Sequence, residues 1–146
     1  MDSLDALVGK WRIEAAVFPG PPGHVTFEWM PGERFLVERW EAGTIPVGDE
    51  MIDFTGIAII GFDSERKNYL QHYFDSRGVA RVYQMTLVDG VWMLWRDSED
   101  FSPLDFSQRF TGTFSADGST IEGRWEINHD GKSWEKDFDL VYTRVT

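Results

Sequence analysis

Apolar and polar positions alternate along almost the whole chain, and turn residues interrupt the alternation about every eight to twelve residues. The runs between interruptions are rich in Val, Ile, Phe, Tyr, Trp and Thr, the residues that suit a pleated, half-buried surface. The pattern predicts strands at about 10–18, 24–30, 33–42, 51–62, 68–75, 79–88, 91–98, 105–114, 120–128 and 133–145. One short helical turn is expected, capped by Ser3 and running through Val8 before Gly9 breaks it. Pro19-Gly20-Pro21-Pro22-Gly23 is the one low-complexity patch and reads as a stiff connection. No linker, composition shift or repeat divides the chain, so residues 1–146 are expected to form one domain.

Turn chemistry fixes register, and register assigns faces. Asp89-Gly90 pairs Val88 with Val91, while Ser76-Arg77-Gly78 aligns Tyr73 with Arg81 and Gln71 with Tyr83. Asp117-Gly118 brings Phe114 opposite Ile121, and Asp130-Gly131 is expected to set Ile127 opposite Trp134. One face then runs through Phe54, Gly56, Ala58, Ile60, Tyr69, Gln71, Tyr73, Arg81, Tyr83, Met85, Trp92, Leu94 and Arg96. Phe106, Gln108, Phe110, Phe114, Ile121, Trp125, Ile127, Phe138, Leu140 and Tyr142 continue it on the last three strands. The opposite face of the middle strands is also partly apolar, so a pocket lined by His72, Phe74, Val82, Gln84, Met93 and Trp95 is the alternative. Ten short strands without covering helices leave two sheet edges, and closure removes them. The expected fold is therefore all-β: a closed, antiparallel, up-and-down barrel of about ten strands with a short N-terminal helical turn. A bore of that width favours an internal cavity.

The formal net charge of −11 is spread along the chain, which opposes nucleic acid or an anionic membrane as partner. The chain has no cysteine, which rules out disulfides and thiolate metal sites. Met1 to Leu7 carries two aspartates and neither a basic leader nor a long apolar core, and no stretch approaches the length of a membrane span. A cytoplasmic protein is expected, with a homodimer left open. Arginines at 12, 39, 81, 96, 109, 124 and 144 sit inside apolar runs, where planar, stacked or bidentate contacts suit arginine better than lysine.

Gly9-Lys10-Trp11 opens the first strand and Tyr142-Thr143-Arg144 closes the last, so closure would set the Arg144 guanidinium against the Trp11 indole. This Gly-x-Trp with a basic residue on the final strand resembles the signature shared by lipocalins and other calycins. Leu7-Val8-Gly9-Lys10-Trp11, Gly32-x-Arg34-Phe35-Leu36, Gly56-x-x-x-x-Gly61-Phe62-Asp63, Phe74-Asp75-Ser76-x-Gly78, Asp117-Gly118-x-x-Ile121-x-Gly123-x-Trp125-Glu126 and Tyr142-Thr143-Arg144 together resemble an uncharacterised family of bacterial lipocalin-like proteins. That resemblance spans nearly the whole chain and implies a fold but no activity. The opening strand also resembles the haem-binding nitrobindins, whose iron ligand is a histidine near the C-terminal end. Here residues 134–145 contain no histidine, and the three present are His24, His72 and His129.

No Gly-x-Ser-x-Gly, phosphate loop or dinucleotide fingerprint occurs. The candidate site is instead the inward set Gln71, Tyr73, Arg81, Tyr83, Arg96, Gln108 and Trp125, with Trp29 and Trp92 as further walls. Trp11 and Arg144 are assigned to barrel closure, and no catalytic residue, metal ligand or cofactor is assigned. Two readings of the candidate set stand side by side. A carrier or sensor would hold a small hydrophobic or aromatic, acid-bearing molecule inside the barrel. A barrel enzyme would use the arginines to hold a carboxylate or enolate and to lower a tyrosine pKa. Structural ion pairs of Arg81 and Arg96 with Asp75, Asp97 or Glu99 would account for the same residues without a ligand. Haem binding is a further reading.

Overall fold

The computed structural model describes residues 1–18, 20–96, 100 and 105–145. After a 3-10 turn at Leu4–Ala6 the described chain forms ten strands: β1 (Gly9–Glu14), β2 (Gly23–Trp29), β3 (Phe35–Val47), β4 (Glu50–Asp63), β5 (Asn68–Asp75), β6 (Ala80–Val88), β7 (Val91–Arg96), β8 (Ser107–Phe114), β9 (Thr120–Asn128) and β10 (Glu135–Val145). Each strand pairs antiparallel with its sequence neighbours and β1 pairs with β10, so the sheet closes into a barrel with every edge satisfied. No helix of the described residues is long and apolar enough to cross a membrane.

The hairpin registers follow the turn chemistry. Val88 faces Val91, Tyr73 faces Arg81, Gln71 faces Tyr83 and Phe114 faces Ile121. The Asp130-Gly131 hairpin departs from expectation: Ile127 faces Glu135, not Trp134. A bulge between Lys136 and Phe138 then restores the expected parity, so that Phe138 keeps the inward face expected of it, now opposite Trp125. Trp134 stays outside the strand, 4.2 Å from the Arg109 guanidinium that covers its ring. The first strand stops at Glu14 because the chain turns there, with the Phe18 N–H donating to the Ala15 carbonyl. β3 and β4 run further than expected, to a turn at Gly48, because a bulge between Glu41 and Thr44 absorbs Gly43 within the ladder. Pro19 and the last two residues of the expected strand 91–98 lie outside the described residues.

Burial alternates as the expected inner face requires. Ala58, Ile60, Gln71, Tyr83, Met85, Trp92, Leu94, Arg96, Phe110 and Ile121 are buried, whereas Phe74 and His72 on the opposite face are exposed. The half of the bore next to the N-terminal turn is filled by rings: Trp92 packs on Phe110 at 4.9 Å, Tyr142 at 5.7 Å and Phe27 at 6.0 Å. Gly112 and Gly123 make this possible, because a Cβ at either would run into the Phe110 ring that lies across them. Large aromatic side chains occupy here the volume that the strand number alone suggested would be cavity.

The N-terminal turn plugs this end. Ser3 caps it by accepting from the Asp5 N–H, and Leu4 and Leu7 are buried beneath it. Trp11 donates from Nε1 to the Leu7 carbonyl at 2.8 Å, and Arg144 lies with its guanidinium carbon 4.2 Å from the centre of the Trp11 ring. The same guanidinium donates to the Val8 carbonyl at 2.7 Å and the Ala6 carbonyl at 2.8 Å. Because the stack and these hydrogen bonds share one geometry, Trp11→Ala and Arg144→Ala should not be independent. Urea unfolding of both single variants and the double variant is expected to give a coupling energy above about 0.5 kcal/mol; additivity within that margin would show that the contact contributes nothing.

Candidate functional site

The inward polar residues collect toward the end of the barrel away from the N-terminal turn. Arg81 on β6 donates from Nη1 to Gln108 Oε1 at 3.1 Å, and the same oxygen accepts from the Tyr83 hydroxyl at 3.1 Å. The Tyr83 ring meets Trp125 at 5.7 Å and Tyr73 at 5.9 Å. Tyr73 stacks on Trp40 at 5.2 Å and donates its hydroxyl to Asp75 Oδ2 at 2.7 Å. The close approach of Trp40 to the wall needs Gly56, since a Cβ there would overlap the indole.

The arginines in this cluster differ in kind. Arg96, 1% exposed, is held bidentately by Asp100, through Nε to Oδ2 and Nη2 to Oδ1, each at 2.9 Å. Asp100 Oδ2 also accepts from the Val82 N–H at 2.9 Å. This buried fork pairs charge with charge in the geometry that arginine favours. Asp75, a candidate partner for either arginine, is instead occupied by Arg77 and Tyr73. Asp97 and Glu99 lie outside the described residues. Arg81 forms no ion pair with a described residue, and its buried Nε has no acceptor.

Arg81 and Arg96 do act to lower the Tyr83 hydroxyl, as expected of neighbouring guanidiniums, but the net direction is set by burial. Burial raises the Tyr83 hydroxyl despite the opposing pull of Arg81, and it raises Tyr73 further, helped by the hydrogen bond to Asp75. Desolvation of the phenolate outweighs the nearby cation.

Trp29 and Trp92 do not join this cluster. Trp29 donates from Nε1 to Asp5 Oδ1 at 2.8 Å and so belongs to the plugged end. Trp92 sits in the ring-filled half, its Nε1 buried without an acceptor. Gln71 does border the cluster, cross-strand from Tyr83, with its Oε1 buried and unpartnered. His24, His72 and His129 are all exposed, and no group of three potential metal ligands occurs among the described residues. A cleft of about 260 Å³ opens beside the cluster, its walls including Met93, Trp95, Arg109 and Trp134, with Arg96 and Gln108 at its inner side.

One inward residue escaped the sequence reading. Glu38 on β3 is 7% exposed and stands between Phe27 on β2 and Ala58 on β4. Its carboxyl accepts no hydrogen bond from a described residue, and its oxygens are not among the fully occluded unpartnered atoms. The signal was present in Leu36-Val37-Glu38-Arg39-Trp40, where strict alternation puts Glu38 on the face of Leu36 and Trp40. Burial pushes its pKa up from the ordinary 4.5 to about 8, with no cation near enough to oppose it.

No protein-family model matches the chain, and no curated protein matches it.

The raised Glu38 pKa makes a signed prediction. Between about pH 4.5 and about pH 8 the folded chain holds a proton at Glu38 that the unfolded chain releases, so stability is lost as pH rises across that window. Each unit of difference corresponds to about 1.4 kcal/mol. Urea midpoints measured from about pH 5 to about pH 8 should fall for the native chain and fall markedly less for Glu38→Gln; parallel profiles would mean that Glu38 titrates normally.

Proposed function

We propose that the barrel is a lipocalin-like binding protein for a small hydrophobic or aromatic molecule bearing an acid group, with Arg81 as the acid's counter-charge. The observation that carries this reading is the state of Arg81: it lies on the inner face with a buried, unpartnered Nε and a neutral amide as its hydrogen-bond partner. Among the described residues that guanidinium has no anion to offset its desolvation, and a bound carboxylate would supply one. The surrounding rings of Tyr73, Tyr83, Trp40 and Trp125 supply apolar surface for the rest of such a molecule. The calycin-type ends of the chain, Gly9-x-Trp11 and Arg144, agree with this reading because they seal one end and leave the polar cluster toward the other. Arg96 has a different part: with Asp100 already bound to it, it braces the cluster and leaves the recognition of a ligand acid to Arg81.

The test compares an aromatic acid with its amide. Tryptophan fluorescence should be quenched by 4-nitrobenzoate at lower concentration than by 4-nitrobenzamide, by about tenfold or more for a buried charge pair. Arg81→Met should remove that preference by weakening the acid more than the amide. Equal affinities before and after the substitution, or no quenching by either compound, would overturn the reading.

A further inference from the structure

Glu38 and Arg81 stand at one level of the wall. Register carries Glu38 to Ala58, Ala58 to Tyr73 and Tyr73 to Arg81 across four neighbouring strands. Three strand spacings put their Cα atoms roughly 14 Å apart along the sheet. The Tyr73 ring lies between them, fixed by its stack on Trp40 and its hydrogen bond to Asp75. One level of the inner face therefore carries a carboxyl, an aromatic ring and a guanidinium, neither charged group paired with an opposite charge among the described residues.

We propose that Glu38 is the second anchor of the site, taking the ammonium group of an amphoteric aromatic ligand whose acid group meets Arg81. The inference rests on the binding function proposed above and adds the chemistry of the ligand's other end. Glu38 is more than nine-tenths buried, and its carboxyl accepts no hydrogen bond from a described residue. The neighbours facing it are Phe27 from β2, Ala58 from β4 and Tyr142 from β10, with Tyr73 one strand beyond Ala58, and of these only the two phenols titrate. No lysine, arginine or histidine is among them. A desolvated carboxyl gains most from a partner that brings a full positive charge and hydrogen-bond donors, and aromatic faces favour the same cation. The net charge of −11 raises the local concentration of cationic groups around the protein. Water can satisfy Glu38 only by hydration, whereas an ammonium pairs its charge and leaves the ring between the anchors to pack on the ligand body.

Two probes of nearly equal shape separate this inference from the reading beneath it: 6-(aminomethyl)-2-naphthoate, and 6-ethyl-2-naphthoate, which lacks the nitrogen. Calorimetric titration of the native chain should show the amino compound binding about tenfold tighter or better. Glu38→Gln, an isosteric change that removes the ionisable carboxyl, should bring the two affinities together, chiefly by weakening the amino compound. Arg81→Met should weaken both probes and preserve their ratio. At neutral pH, binding of the amino compound should release a proton from Glu38, seen as a buffer-dependent heat, and the Glu38→Gln variant should not show it. A ratio near one in the native chain, or a ratio that survives Glu38→Gln, overturns the inference even if Arg81→Met still weakens both probes. Loss of the ratio on Glu38→Gln with no effect of Arg81→Met would uphold the Glu38 anchor and overturn the role of Arg81. Absence of binding by either probe would overturn both.

Discussion

The stack of Arg144 on Trp11 joins the two ends of the chain, and the closed barrel is organised around it. Closure sets Trp11 directly opposite Arg144 in the β1–β10 ladder. The guanidinium then reaches the Ala6 and Val8 carbonyls, which the short N-terminal turn leaves without helical partners. Its Nε also points to the Gly118 carbonyl in the turn between β8 and β9. One planar group with donors on three sides thus ties together the N-terminal turn, the seam and a neighbouring hairpin. Lysine, with a single compact ammonium and no planar face, could not make the same set of contacts. Because this end is sealed and filled with rings, inward polar residues are tolerated mainly toward the other.

Those polar residues follow two different energetic rules. Arg96 and Asp100 form a fork in which Nε and Nη2 of the guanidinium meet both carboxylate oxygens, and a buried pair in that geometry can offset much of its own desolvation. Glu38 and Arg81 have no such partner among the described residues, and an unpaired ionisable group inside a barrel lowers stability. Natural sequences depart from internal consistency mostly where a site requires it. Burial raises both Tyr73 and Tyr83 away from the phenolate form. Glu38, brought by burial to about 8, titrates close to neutral pH.

Much of this fold was legible in the sequence because turn residues set register and register sets every face. Asp89-Gly90, Asp117-Gly118 and Ser76-Arg77-Gly78 each produced the expected pairing, and the inner face of β5 to β9 followed. The Asp130-Gly131 turn shows the limit: its register is one residue off, the bulge between Lys136 and Phe138 adds a second residue and so returns the side chains to the expected face, and no local sequence signal marks that bulge. Within the candidate site, Tyr73, Tyr83, Arg81 and Gln108 come together because their faces were fixed by these hairpins. Glu38 was missed for the opposite reason. The connections flanking β3 gave no two-residue hairpin from which to propagate a face, and a glutamate between Val37 and Arg39 reads as solvated unless the alternation with Leu36 and Trp40 is followed strictly. That Asp100, four residues beyond Arg96, folds back to pair with it is a tertiary fact to which strand periodicity is blind.

What keeps Glu38 and Arg81 from pairing with each other is itself built from the wall. Gly56 lets Trp40 lie flat across β4, Trp40 supports the Tyr73 ring, and Asp75, neutralised by Arg77, holds the Tyr73 hydroxyl. Tyr73 therefore cannot swing aside to let the two charges approach, and the strand spacing keeps their backbones apart. Arg81 is further drawn toward β8 by Gln108, away from β3. A direct ion pair would have satisfied both groups. Separating them across a braced aromatic ring keeps a carboxyl and a guanidinium at fixed spacing on one wall, and fixed spacing between complementary groups is what would let a rigid barrel, on the binding function proposed above, discriminate among small molecules by length as well as by charge.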